Sequence, residues 1–170
     1  EEEGTYVLPE AQMDRFLIKE VITYPTPTEE AEILDRLADG SLAAPLTTEP
    51  ITLADVEFLQ DVASRVFVHR TIKEYIVSLI NTTRGGGPRP LAKWDDHVRV
   101  GASPRGGIAL MRLGQALALL QSRAYVVPDD IRTMRFPALR HRLVLTYDAL
   151  ANDVAPESLI DAVFAAVPVP

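Results

Sequence analysis

Cysteine is missing altogether from the 170 residues, which removes disulfide frameworks and thiolate metal sites from consideration. Long apolar runs are missing too: none approaches the ~20 residues that span a bilayer, so no membrane insertion is expected. Basic charge is scarce, with 17 Lys and Arg against 24 Asp and Glu and a net charge of −7. A general nucleic-acid binder needs a basic footprint, so no nucleic-acid partner is expected. The phosphate-cradling pattern G-x-x-x-x-G-K-[ST] has no match. His69, His97 and His141 fall on separate segments without ligand spacing, and Asp95-Asp96-His97 reads as a solvated loop, so no metal site is expected. No serine or carboxylate pair is set out as a nucleophile or an acid–base dyad.

With 47% hydrophobic residues the chain can build one core, as one domain or one domain plus a stub of another. It does not begin with methionine, which reads as processing or trimming. Charge is uneven along it. Residues 1–61 carry fifteen acidic and three basic side chains, whereas residues 99–142 carry eight basic and two acidic. Either these are solvated helix faces, or the basic segment meets anionic groups.

Helical signals dominate. A short helix is expected over Pro9–Asp14, and the β-branched and aromatic run Phe16–Tyr24 reads as a strand closed by Pro25. A lone strand cannot satisfy its ladder, so its sheet is expected to lie mostly outside this chain. Thr26-Pro27-Thr28-Glu29 is a capping box that opens a helix burying Ala31, Leu34, Leu37 and Ala38 and ending at Gly40. After a polar connection over 40–51, Thr52 caps a helix with Val56, Leu59, Val62, Ala63 and Val66 at helical spacing. Thr71 with Glu74 reads as a further capping box, ahead of the stripe Ile72, Tyr75, Ile76, Leu79 and Ile80. Residues 84–102 read as a long irregular connection in which Trp94 either packs the loop down or anchors a partner. Ser103-Pro104 opens an apolar helix to about Ser122, expected at the centre of a bundle. Pro128 starts a short helix, Pro137 another turn, Leu143–Tyr147 a short strand and Pro156 a last helix to about Ala166.

Two arginines call for explanation. Arg105 sits in the first turn of its helix, where the backbone carries partial positive charge and a cation is disfavoured by up to ~1 kcal/mol. Gly106 and Gly107 follow, each costing about 1 kcal/mol against alanine. An anion at Ser103–Gly106 would reverse the sign of the first effect, and the glycines would permit close approach. A carboxylate from another helix would serve equally. Arg15, between the short helix and the expected strand, either pairs locally with Asp14 or Glu10 or projects toward a neighbour's phosphates.

Glu3-Gly-Thr-Tyr-Val-Leu-Pro-Glu-Ala-Gln-Met-Asp-Arg-Phe16 and Gly101-Ala-Ser-Pro-Arg105 resemble the second half of a MoxR-type AAA+ ATPase. Arg123-Ala-Tyr-Val-Val-Pro-Asp-Asp-Ile131 and Pro137-Ala-Leu-Arg-His-Arg-Leu143 extend the likeness over most of the chain. The resemblance implies a mainly α fold: a helical-bundle AAA+ lid domain over 25–170, with a C-terminal strand and helix extension, preceded over 1–24 by a helix–strand remnant of the α/β ATPase core. It implies that Arg15 is an arginine finger acting on the adjacent subunit's ATP. Arg105 would be the sensor-2 arginine on the γ-phosphate of its own subunit, with Ser103 and Gly106 beside the nucleotide. ATP and Mg2+ are then the cofactors of the complete protein, a cytoplasmic ATP hydrolase. Its partners would be identical subunits in a ring, expected to be a hexamer, a von Willebrand A domain protein and a client protein complex that it remodels or matures. The Walker A, Walker B and sensor-1 elements are not in these residues, so this chain alone is expected to be inactive. The family's usual Ser-Pro-Arg-Ala is Ser-Pro-Arg-Gly here. Two alternatives remain: a non-enzymatic helical interaction module, and the lid of a magnesium-chelatase-like AAA+ subunit. Pairing of residues 16–24 separates the first of these from a fragment, since a free-standing module would satisfy that strand internally.

Overall fold

The computed structural model describes residues 8–43, 49–87, 91 and 94–170. The start of the Glu3–Phe16 motif, residues 44–48 of the first connection and part of the second lie outside them. The chain divides into two compact units, one joining the residues up to Lys19 with Gln60–Pro170, the other formed by Glu20–Leu59. Helices dominate, as expected.

In the Glu20–Leu59 unit, helix α2 (Pro27–Ala38) carries the expected box: Thr26 Oγ1 accepts the Glu29 amide, and the Glu29 carboxylate accepts the Thr26 amide at 2.7 Å. Asp39 ends it, ahead of Gly40 at φ +76°. The expected burial of Ala31, Leu34, Leu37 and Ala38 is not found. No residue of α2 is buried, and Leu34 is 65% exposed. Capping is a local property, whereas burial needs a second apolar surface, and within this unit α2 has none that covers it. Helix α3 (Leu53–Ser64) runs from this unit into the other and is boxed by Thr52 and Asp55. It too buries nothing, and of its expected stripe only Val66, beyond its end, is buried.

The larger unit holds the core. Helix α4 (Arg70–Thr82) buries Ile72, Tyr75, Ile76, Leu79 and Ile80, the expected stripe. Its cap differs from expectation: His69 Nδ1 accepts the Thr71 amide, while Glu74 pairs with Arg70 one turn back. The residue with extended backbone, His69, takes the cap because only there can a side chain fold back on the first free amides. Helix α6 (Pro104–Leu120) packs on α4, on α7 (Pro128–Thr133) and on α8 (Arg135–Leu139), and is the centre of the bundle. Ala109, Leu110, Leu113 and Ala118 form its buried side, yet Leu120 is 83% exposed, so the helix is less enclosed than its sequence suggests. Pro137 lies inside α8 rather than opening a turn. Helix α9 (Tyr147–Ala151) and helix α10 (Pro156–Ala166) complete the unit, α10 packing on α4 and α8.

The long connection is less irregular than expected. It contains helix α5 (Trp94–His97) and strand β1 (Val98–Val100), which pairs antiparallel with β2 (Val144–Leu145), Val98 opposite Leu145. Trp94 is 6% exposed within the core cluster, so it packs the connection down. The expected strand over 16–24 does not form. Among the described residues the segment joins no ladder, and Ile22 and Tyr24 are more than nine-tenths exposed. Extended propensity alone makes no strand without a partner edge.

Gly101 sets the approach to α6. A Cβ there would fall 2.0 Å from the Thr83 carbonyl oxygen, whereas one at Gly107 would sit 3.5 Å from Ile76 and Ile80 methyl and methylene carbons. Gly101→Ala should therefore destabilise by about 3 kcal/mol or more, and Gly107→Ala should stabilise by about 0.5–1 kcal/mol. Urea unfolding of the two variants checks the opposite signs.

Candidate functional site

The Ser103–Gly106 turn is built as a helix start. Ser103 has extended backbone, its Oγ accepts the Arg105 amide at 3.1 Å, and Pro104 occupies the first helical position. The Gly106 amide donates to the Ser103 carbonyl at 2.9 Å. Pro104 has no amide hydrogen. The first backbone donors are therefore already used, and the outward-facing cation of this turn is the Arg105 guanidinium, 55% exposed. Gly106 faces inward: a Cβ there would lie 3.1–3.3 Å from Ile80, Ala102 and Arg142. Its structural reason is close packing.

The anion beside this turn belongs to the chain itself. Helix α1 (Glu10–Met13) ends at Asp14, whose Oδ2 accepts from Ser103 Oγ at 2.8 Å and from Arg105 Nη1 at 3.4 Å. Its Oδ1 accepts from Arg142 Nε at 3.2 Å. A carboxylate at a helix N-terminus offsets the penalty of a cation in the first turn. Arg105 thus has a carboxylate partner from another helix, through one long and largely exposed contact.

Arg142 is the residue that sequence reasoning passed over. Its side chain is 2% exposed, and beyond Asp14 Oδ1 it donates to the carbonyls of Asp14 (3.2 Å), Phe16 (2.6 Å), Leu17 (3.3 Å) and Ala138. All five guanidinium donors are committed. Burial lowers its pKa from the usual arginine value; Asp14 opposes that and Arg105 adds to it. Arginine remains charged all the same. A signal existed, since Asp14 and Arg142 each lie within a motif that carried the family likeness, but 128 positions separate them.

Arg15, next to Asp14, is exposed and forms no ion pair among the described residues. The local pairs do not form: Glu10 takes Arg99 at 2.9 Å, and Asp14 takes Arg105 and Arg142. Six of the eight arginines over 99–142 pair with carboxylates of this chain, which consumes most of the basic segment internally. Alongside the turn, an apolar groove of about 530 Å³ runs between α4 and α6, with Ile76, Ile80, Arg84, Pro104, Gly107 and Met111 in its lining. Among the described residues no group of three or more His, Asp or Glu side chains could hold a metal ion, and no helix is long and apolar enough to cross a membrane.

Residues 95–163 match the AAA lid domain family. The whole chain is 40% identical to the chaperone MoxR1 of Mycobacterium tuberculosis and 40% identical to the uncharacterized protein YeaC of Bacillus subtilis, covering 44% and 50% of their lengths. Along its whole length the chain is similar to MoxR-type AAA+ proteins. Protein MoxR of Paracoccus denitrificans is 29% identical over the full chain. A crystal structure of a Cytophaga hutchinsonii protein, provisionally assigned as an ATPase, superposes with TM-score 0.89 at 30% identity, over 100% of this chain and 51% of that one. The chain therefore spans about half the length of the curated relatives it matches, and within it the AAA lid match runs from residue 95 in α5 to residue 163 in α10.

His141 lies beside the Arg142 contact network. Its Nε2 is 3.1 Å from the Phe16 carbonyl, so Nε2 carries the hydrogen, and Nδ1 is buried without a partner among the described residues. Burial lowers its pKa below the usual 6.5, with Arg142 and Lys19 contributing and the Phe16 bond opposing. The unfolded chain then takes up the proton first as pH falls. Stability should be complete above about pH 6.5 and decline below it. Urea midpoints measured from pH 7.5 to 5.5 should fall in the wild type and fall less steeply in His141→Gln.

Proposed function

We propose that this chain forms the lid and finger portion of a MoxR-type AAA+ ATPase, which couples ATP binding and hydrolysis to chaperone-like remodelling of protein complexes. The observation that carries this reading is the half-exposed Arg105 guanidinium, held at the α6 start by one long contact with Asp14 and free to turn outward. The donor set fits a phosphate: a cation with spare N–H donors beside the Ser103 hydroxyl, at a helix end whose dipole favours an anion. It offers magnesium nothing, because the Asp14 carboxylate is already engaged by two guanidinium groups. Metal-bearing residues are assigned to the part of the protein outside these residues.

Magnesium-bound ATP, when present, supplies the transferable phosphoryl group. Arg105 acts as sensor 2: it contacts the terminal phosphate of its own subunit and offsets charge that spreads over the phosphoryl oxygens. Ser103 positions that arginine by capping α6. Arg15 is the finger and reaches the nucleotide of the adjacent subunit, in a ring we take to be a hexamer. Its exposure and its lack of an ion pair among the described residues support this role. Among the described residues 16–24 joins no ladder, and its Val21, Ile22 and Tyr24 side chains are exposed, which favours a core remnant over a self-sufficient interaction module. On this reading residues 1–24 belong to the ATPase core and 25–170 to the lid, the protein is cytoplasmic, and a von Willebrand A domain protein accompanies it to its client.

Arg15→Ala in the complete protein should reduce ATP turnover by about 10³-fold or more and leave the ATP Kd within about twofold, since the finger acts on a neighbour's transition state. Steady-state hydrolysis together with equilibrium binding checks both. Unchanged turnover discards the finger assignment.

A further inference from the structure

Asp14 meets two arginines of opposite circumstance. Arg142 is buried, has every donor committed and contacts Oδ1; Arg105 is half-exposed and contacts Oδ2 once, at 3.4 Å. We infer that Asp14 is a positioning residue for Arg105: it holds this arginine when no triphosphate is present and yields it when one binds, while Arg142 keeps the same carboxylate. This rests on the reading of Arg105 as a phosphate-binding group and adds the group from which it is released.

The unequal cost of breaking the two contacts decides which one gives way. Detaching Arg142 from Asp14 leaves a buried cation without its counter-charge. Detaching Arg105 breaks a screened contact whose donors water can satisfy. Release does not strand Asp14 either, because Oδ1 keeps Arg142 and Oδ2 keeps the Ser103 hydroxyl at 2.8 Å. A terminal phosphate brings more charge and more acceptor oxygens than a carboxylate shared three ways, so it wins Arg105. Asp14 also immediately precedes Arg15, and Arg142 grips the carbonyls of Asp14, Phe16 and Leu17. The carboxylate that gives up Arg105 therefore belongs to the segment that presents Arg15.

The test measures binding of a non-hydrolysable ATP analogue to the complete protein as wild type, Asp14→Asn, Arg105→Ala and the double variant. Asp14→Asn should bind about 1.5- to 5-fold more tightly, because no restraint has to be broken. The gain should vanish in the Arg105→Ala background, a dependence that a merely structural role would not produce. Unchanged or weaker binding in Asp14→Asn, or an equal gain without Arg105, overturns the inference. Arg105→Ala with unaltered affinity overturns the sensor-2 reading as well; weakened affinity there, with no gain in Asp14→Asn, overturns this inference alone. Thermal melting shows whether Asp14→Asn folds. Should it not, crystal structures of the wild-type complete protein decide: Arg105 on Asp14 without nucleotide and off it with the analogue, Arg142 retained in both. Arg105 still on Asp14 beside bound analogue overturns the proposal.

Discussion

A guanidinium removed from water must be given a partner for every hydrogen it carries, and Arg142 is where this chain meets that demand. Losing the solvation of such a cation costs several kcal/mol, and only good geometry with full hydrogen bonding offsets it. The partners come almost entirely from one short stretch, the Asp14 carboxylate and the carbonyls of Asp14, Phe16 and Leu17, with Ala138 completing the set. The stretch is thereby fastened to the α8 end, and a backbone bond from Lys19 to Pro137 at 2.9 Å continues the attachment. Because Asp14 also receives Ser103 and Arg105, the start of α6 and the end of α1 share one electrostatic centre.

Burying that cation also changes how the chain's charge pattern is understood. An acidic first third and a basic later segment suggest two surfaces awaiting partners. Instead arginines pair with carboxylates of other elements, Arg123 with Asp130, Arg135 with Asp161 and Arg140 with Glu157, the last as an ion pair at 3.1 Å without hydrogen-bond geometry. Arg135 also lies over the Phe136 ring at 4.0 Å. Arg105 stands out against this background because its contact, at 3.4 Å, is the longest of the six and its side chain is half-exposed.

Local signals were legible and tertiary ones were not. Thr26 with Glu29, the Ile72–Ile80 stripe, Ser103-Pro104 and Pro156 each act within one or two turns, so their helices could be read directly. The His69 cap was missed because a threonine and a glutamate two and five positions later fit the usual pattern better than a histidine does. Whether an apolar residue is covered depends on what lies opposite, hence the failure at Leu34 and Leu37 and the two readings left open at Trp94, which the structure resolves as packing. The turn at Ser103–Arg105 was legible, but its anion was not: a contact spanning 91 residues leaves no mark on local spacing. Family likeness supplied the roles proposed for Arg15 and Arg105, which physical reading alone left open between phosphate and carboxylate.

The uncovered state of α2 has a kinetic side. A twelve-residue helix that buries no side chain is held by its own backbone bonds and by the Thr26–Glu29 box, whose contribution is about 1 kcal/mol. Its opening free energy is accordingly small beside that of α4, whose Leu79 is wholly enclosed. Amide hydrogens along Pro27–Ala38 will exchange with solvent deuterium through local fraying, long before the core helices open, and any macromolecule that covers Leu34 and Leu37 will slow that exchange.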